Sequence, residues 1–348
     1  MPPVPPSPSP DARPDTLTDT LGRPLRDLRV SVTDRCNFRC VYCMPKEVFG
    51  PDHAFLERDE VLTFEEITRL ARVFASLGVR KIRLTGGEPL VRRDVVKLVA
   101  QLATIQRLDL TLTTNGSSLV THAAALRAAG LSRLTVSLDS LDDAVFRRMN
   151  DVDVPVTTVL DGIAAAERAG FTRMKINMVV RRGVNEASVV PMARRFRGTG
   201  HVVRYIEYMD VGTTNGWRMS DVVPASEIVA AVHREWPLEP TGRAIRSDTA
   251  ETWRYADGAG EIGVVASVTR AFCRDCVRAR LSADGSLFTC LFATKGHDLK
   301  GLLRSGATDE AIRDEVRRVW AARGDRYSEL RTAMTQPIPR VEMSYIGG

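Results

Sequence analysis

The sequence predicts an α/β protein: an open partial (βα)6 TIM-like barrel followed by a smaller C-terminal cluster-binding domain. Three observations lead there. Between residues 28 and 210, β-branched and leucine-rich runs alternate with helical stretches, a pattern that builds a parallel sheet. Six such units fall short of the eight that close a full barrel. The runs also end in glycines and polar residues, at the carboxyl ends where barrels of this kind carry their active sites.

The strand-like runs are 28–34, 81–85, 108–114, 133–139, 174–180 and 201–209. The clearest helix covers 64–77. Thr63 and Glu66 form a capping-box pattern, Ile67, Leu70, Phe74 and Leu77 recur at helical spacing, and Gly78 closes the end. Leu119 to Gly130 and Asp161 to Gly170 read the same way. Thr85-Gly86-Gly87-Glu88-Pro89 follows the second strand and Thr113-Thr114-Asn115-Gly116 the third. Ser137-Leu138-Asp139-Ser140 lies within the fourth, Lys175 and Asn177 sit on the fifth, and Glu207-Tyr208-Met209-Asp210 ends the sixth. Gly86 and Gly87 lack a Cβ and so admit a ligand close to their backbone. Beyond residue 225 a helix (Ser226 to Arg234) leads to further strands around Trp253, Tyr255, Ile262, Val264 and Val265. The expected division is a disordered Pro/Ser-rich tail over 1–15, the barrel over 16–224 and the C-terminal domain over 225–348.

The chain of 348 residues is 44% apolar, ordinary for a folded protein. No apolar run approaches the roughly 18 residues of a membrane helix. The proline-rich start also lacks the apolar core of a signal peptide, so a cytoplasmic protein without a membrane partner is expected. A net charge of +6 and a pI near 9.1 suit an anionic ligand or solvated arginines. No basic run with interleaved aromatics argues for a nucleic-acid groove.

The six cysteines fall into two trios, Cys36, Cys40, Cys43 and Cys273, Cys276, Cys290. Thiolates are soft ligands that select iron–sulfur clusters, zinc or copper. A four-iron cluster needs four thiolates for full cysteine ligation; three leave one position open for chemistry. The alternative is zinc, completed by His53 at the first trio or His297 at the second. In the second trio, Asp284-Gly285 is a hairpin turn signal that brings Cys290 back toward Cys276. A two-residue turn would put Cys290 on the face of Ala279, opposite Arg278 and Arg280, and a bulge would change that. Arg278 and Arg280, two apart on a strand, point the same way and suit a polyanion such as a triphosphate.

The C-x₃-C-x₂-C loop with Tyr42 beside its last cysteine resembles the signature of the radical S-adenosylmethionine (SAM) enzymes. Adding C-x₂-C-x₁₃-C and a Gly347-Gly348 end, the chain from about residue 22 onward resembles the family of molybdenum-cofactor biosynthesis protein A, the GTP 3′,8-cyclases. That resemblance implies two [4Fe-4S] clusters, the first cleaving SAM and the second binding the guanine of GTP. It implies SAM contacts at Tyr42, Gly87, Ser137 and Met209. GTP contacts are implied at Arg29, Arg83, Thr113, Lys175, Arg278, Ala279 and Arg280. Arg278, Arg280, Gly347 and Gly348 take catalytic roles, the glycine pair as a tail reaching into the active site. A 5′-deoxyadenosyl radical from SAM would take hydrogen from C3′ of GTP, the C3′ radical would attack C8, and reduction by one electron with protonation would give (8S)-3′,8-cyclo-7,8-dihydroguanosine 5′-triphosphate. The implied partners are GTP, SAM, an electron donor such as flavodoxin or ferredoxin, and the downstream cyclic pyranopterin monophosphate synthase; a homodimer is left open. The competing readings are another radical SAM enzyme with an auxiliary cluster, such as a peptide-modifying one, and a zinc-stapled nucleic-acid-binding protein.

Overall fold

The computed structural model describes residues 16–243, 247–331 and 340–347. The Pro/Ser-rich start and Gly348 lie outside the described residues, and with them the expectations placed on both.

All six expected strands form: β1 (Asp27–Ser31), β2 (Lys81–Thr85), β3 (Asp109–Thr114), β4 (Arg133–Ser137), β5 (Lys175–Val180) and β6 (Val202–Glu207). Helices α1 (Phe64–Ser76), α2 (Val95–Ala103), α3 (Leu119–Ala128), α4 (Asp143–Asn150), α5 (Val156–Arg168) and α6 (Val189–Phe196) occupy the crossovers between them. The Thr63–Glu66 capping box of α1 is present in both directions, and Gly78 takes the left-handed φ of +107° that ends the helix. Ile67, Leu70 and Phe74 face inward and are essentially fully buried, as the 3.6-residue period requires.

The C-terminal chain contributes α7 (Ala225–Glu235), β7 (Leu238–Gly242), β8 (Glu251–Tyr255), β9 (Glu261–Val265), β10 (Arg278–Leu281), β11 (Ser286–Phe288) and β12 (His297–Asp298). Helices α8 (Leu299–Arg304), α9 (Asp309–Ala321), α10 (Tyr327–Leu330) and α11 (Met343–Ile346) follow. These strands join the barrel sheet at both ends, in the order β12-β11-β10-β1-β2-β3-β4-β5-β6-β9-β8-β7. β10 runs parallel to β1, and β9 parallel to β6. The parallel array therefore continues one strand past the six βα units on each side, and the outermost strands are antiparallel. One consequence decides the site: both cysteine trios attach to neighbouring strands of the same sheet. The core of β-strand and helix side chains runs continuously from Leu25 to Trp320.

The hairpin between β10 and β11 corrects the simple-turn register. Arg280 pairs with Phe288 and Leu281 with Leu287, and the Ser282 amide donates to the Ser286 carbonyl. The loop is thus Ala283-Asp284-Gly285, with Gly285 at φ +84°, the three-residue form in which a left-handed glycine closes a turn. One extra loop residue flips the downstream alternation. Cys290 is carried to the level of Arg278, on the face of Arg278 and Arg280 instead of that of Ala279.

Candidate active site

A cavity of about 290 Å³ opens at the carboxyl ends of the strands, and all six cysteines line it. Arg29, Arg83, Thr113, Arg278, Arg280, Tyr42, Gly87, Ser137 and Met209 line it too. Two expected contacts lie elsewhere. Ala279, between the two arginines, packs into the hydrophobic core. Lys175, at the start of β5, lines a second cavity of about 170 Å³ with Arg83, Arg133 and Thr135. Arg83 borders both spaces.

The loop after β1 is held rigid before any ligand arrives. Arg39 donates from Nη1 to the carbonyls of Cys36 and Phe38 and from Nε to that of Phe49, all within 2.9 Å. The amides of Arg39 and Val41 donate to the Asn150 and Met149 carbonyls at the end of α4. Tyr42 donates its hydroxyl to Asp139 at 2.8 Å, and Asp139 also accepts the Val179 amide.

Gly86 and Gly87 answer a packing demand as well. A Cβ on Gly86 would stand 2.4 Å from the Thr33 carbonyl oxygen, and one on Gly87 would stand 2.3 Å from that of Arg35. The Gly87 amide donates to Thr33 and the Glu88 amide to Arg35. The Gly-Gly-Glu-Pro turn is therefore locked onto the start of the cysteine loop. Buried Glu88 accepts from Leu90, Thr114 and the Asn115 amide. Burial outweighs those bonds and raises its carboxyl to about 7.

The donor sets fit an iron–sulfur group better than one zinc ion. Among the described residues no three His, Cys, Asp or Glu side chains are placed to hold a single metal ion. His53 packs between Phe49, tilted, and Phe55, edge-to-face, with ring centroids 4.7 Å apart in each pair. His297 is exposed on β12, paired with Leu287. Burial, then the nearby Glu88, pushes the Cys36 thiol up to about 11, and burial raises Cys40 and Cys43 as well. Thiols in such surroundings ionise when a metal binds them. At the second trio, burial raises Cys276, but Arg278, Arg323 and Arg280 together bring it down to about 6.

Between the trios lies a floor of cations. Arg29 pairs in register with Arg280 on one side and Arg83 on the other. Burial and the charges of Arg280, Arg278 and Arg83 depress the Arg29 guanidinium. The Nε atoms of Arg29, Arg204 and Arg280 are buried without a hydrogen-bond acceptor. Arg83 donates to both Thr113 and Thr135 at 2.9 Å, which fixes its direction. Buried donors seldom go unpaired, and like charges collected out of water call for a multiply charged anion.

Sequence reasoning missed Arg204 and gave Asn177 no role. Both line the cavity, as register partners on β5 and β6. The signal was present: Arg204 interrupts the otherwise apolar Val202-Val203-Arg204-Tyr205-Ile206 run on a strand beside Lys175 and Asn177. Glu207 proved to be a brace, accepting from the Ala225, Val268 and Thr269 amides and so joining β6 to α7 and the loop after β9. The tail is docked too. Gly347, at φ +75°, sits so near the end of β2 that a Cβ there would meet Thr85 Cγ2 at 2.4 Å.

The family described as "Radical SAM superfamily" matches residues 30–196, and "Molybdenum Cofactor Synthesis C" matches residues 201–329. A GTP 3′,8-cyclase of Acidothermus cellulolyticus is 53% identical, over 95% of this chain and 99% of its own. One from Xanthomonas axonopodis pv. citri is 51% identical (95% and 99%). One from Staphylococcus epidermidis is 45% identical (96% and 99%). In fold, the chain is similar to SuiB of Streptococcus suis, crystallised bound to S-adenosylmethionine, with a TM-score of 0.60 at 13% identity over 85% of this chain and 68% of that one. Partial barrel, cysteine loop and family match together define a radical SAM enzyme. Within that class, the chain belongs to the GTP 3′,8-cyclase family and serves molybdenum-cofactor biosynthesis.

Proposed function

We propose that the cavity holds SAM at the first cysteine trio and GTP at the second, and that the chain acts as a lyase forming (8S)-3′,8-cyclo-7,8-dihydroguanosine 5′-triphosphate. The observation that carries this reading is the cationic floor lying between two cysteine trios in one cavity. A [4Fe-4S] cluster on Cys36, Cys40 and Cys43 would supply the electron that cleaves SAM, and a second on Cys273, Cys276 and Cys290 would present an open iron to guanine.

The chain's own residues do the positioning. Tyr42, Gly87, Ser137 and Met209 border the space for SAM. The Gly87 amide is already used by Thr33, which leaves its carbonyl for the SAM ammonium. Arg29, Arg83, Arg204, Arg278 and Arg280 meet the substrate's charge, and Thr113 holds Arg83 in place. Lys175 takes the end of a triphosphate that passes Arg83 toward the second cavity. The Gly347 end of the tail covers the first two strands and excludes water from the reacting atoms.

A flavodoxin or ferredoxin would supply electrons, and a cyclic pyranopterin monophosphate synthase would consume the product. A cytoplasmic setting, as a monomer or homodimer, suits both. Anaerobic incubation with GTP, SAM and a reductant tests the proposal: the cyclised nucleotide, 5′-deoxyadenosine and methionine should appear together. SAM cleavage with GTP left intact would point to a different substrate, a modified peptide among them.

A further inference from the structure

The loop following Met209 grips the C-terminal tail through a set of ion pairs and hydrogen bonds. Asp210, 7% exposed, pairs with Arg340 Nη1 at 2.9 Å through Oδ2 and with Arg331 Nη2 at 2.9 Å through Oδ1. It also accepts the Tyr327 hydroxyl at 2.7 Å. Arg340 lies 4.4 Å from the Tyr327 ring centroid and 5.5 Å from that of Phe292, and those two rings stack at 4.4 Å. Two residues on, Glu342 accepts from the Thr213 amide at 2.8 Å, the Thr213 hydroxyl at 2.9 Å and the Thr214 hydroxyl at 3.1 Å. The Val341 amide donates to the Ala293 carbonyl.

We infer that Asp210 is a positioning residue for the reaction: together with Glu342 it clasps the tail, so that the chain beside Met209 and the Gly347 turn are set as one unit. The clasp rests on the GTP-cyclase reading for its purpose, though not for its existence. Its geometry is specific. Asp210 sits one residue past Met209, the proposed SAM contact, and the tail segment it holds runs past Met343, which lines the cavity, to Gly347 against Thr85. Phe292, two residues beyond Cys290, is one of the two rings against which Arg340 is packed. The segment therefore touches the chain next to the SAM site and the chain next to the second trio. Charge-assisted bonds to a buried carboxylate are among the stronger polar contacts a protein makes. Losing one loosens a short terminal segment whose remaining hold is the Glu342 contacts and the buried Ile346 side chain.

The test compares the unaltered, iron-loaded chain with Asp210→Asn, Arg340→Gln and Asp210→Glu, all prepared anaerobically. Two quantities are read: hydrogen exchange of the amides of residues 341–347, and kcat and KM for GTP and SAM. Asp210→Asn and Arg340→Gln should each speed exchange across 341–347 by about tenfold and lower kcat about tenfold, with both KM values within about twofold of the unaltered chain. Asp210→Glu, which keeps the charge, should recover most of both. Unchanged exchange in the tail overturns the clasp, as does an unchanged kcat. A raised KM for SAM with kcat intact does so too, because Asp210 would then act on SAM binding alone. If Asp210→Asn fails to fold, Arg340→Gln decides, since it leaves Asp210 its Arg331 and Tyr327 partners. If the unaltered chain turns over no GTP, the cyclase reading falls, and the exchange measurement still decides the clasp.

Discussion

Arg29 and Arg280 are register partners on adjacent parallel strands, which places the half-buried Arg29 and the buried Arg280 on one face of the sheet about 4.8 Å apart in backbone spacing. Both Nε atoms are without an acceptor. Such a pair costs folding free energy until an anion binds, so it belongs to substrate recognition more than to stability. Arg280→Ala should weaken GTP binding on the order of 10–100-fold, the range for a lost charge-assisted bond. The ligand-free protein should melt no lower than the unaltered chain. Calorimetric titration with GTP and a thermal melt check the two halves, and wild-type GTP turnover by this variant would defeat the assignment.

Lys175 extends the argument to pH. Burial, then Arg204, Lys81 and Arg83, lowers its ammonium to about 7. The unfolded chain would hold that proton to about 10.4, so the unfolded state binds more protons across this window. Stability of the ligand-free protein should therefore rise from this group as pH climbs from about 7 toward 10. GTP binding, which wants the charged form, should weaken over the first part of the same range. Lys175→Met should flatten both trends, as melts and titrations between pH 6.5 and 9 would reveal.

Gly87→Ala tests the turn that supports the cysteine loop. The added methyl would lie 2.3 Å from the Arg35 carbonyl oxygen, a backbone atom with little freedom to move. Forced overpacking of this kind typically costs about 1–3 kcal/mol. The variant should melt lower and retain less iron at the first trio while the second stays loaded. Normal iron content with normal stability would show that the turn tolerates a Cβ.

Iron content separates the two trios. Two four-iron clusters predict about eight irons per chain, and replacing Cys273, Cys276 and Cys290 with serine should leave about four. The triple variant should also lose GTP binding while SAM still binds at the first trio. Iron and sulfide analysis with absorption spectra gives the count, and zinc in place of iron would favour a structural staple.

Local chemistry made much of this visible in the sequence. The six strands and α1 followed from hydrophobic period and a capping box, because those signals act within a dozen residues. The cysteine trios were visible as spacing. What remained hidden depended on long-range pairing. Nothing near Arg278 says that β10 will lie beside β1, 250 residues earlier, and that pairing is what turns two arginines into a floor with Arg29 and Arg83. The level of Cys290 hung on whether the Asp284-Gly285 turn takes two residues or three. Arg204 was passed over because an arginine inside an apolar strand becomes meaningful only when its neighbours across the sheet are known. Asp210 gave no local sign that it holds Arg340, since the two meet only when the tail folds back.

Incubation of the anaerobically prepared chain with SAM, reductant and GTP deuterated at C3′ probes the shared cavity most directly. If the two trios face one another across a single bound nucleotide, deuterium should appear in 5′-deoxyadenosine in step with formation of the 3′,8-cyclised product. Undeuterated 5′-deoxyadenosine beside unreacted GTP would contradict the account.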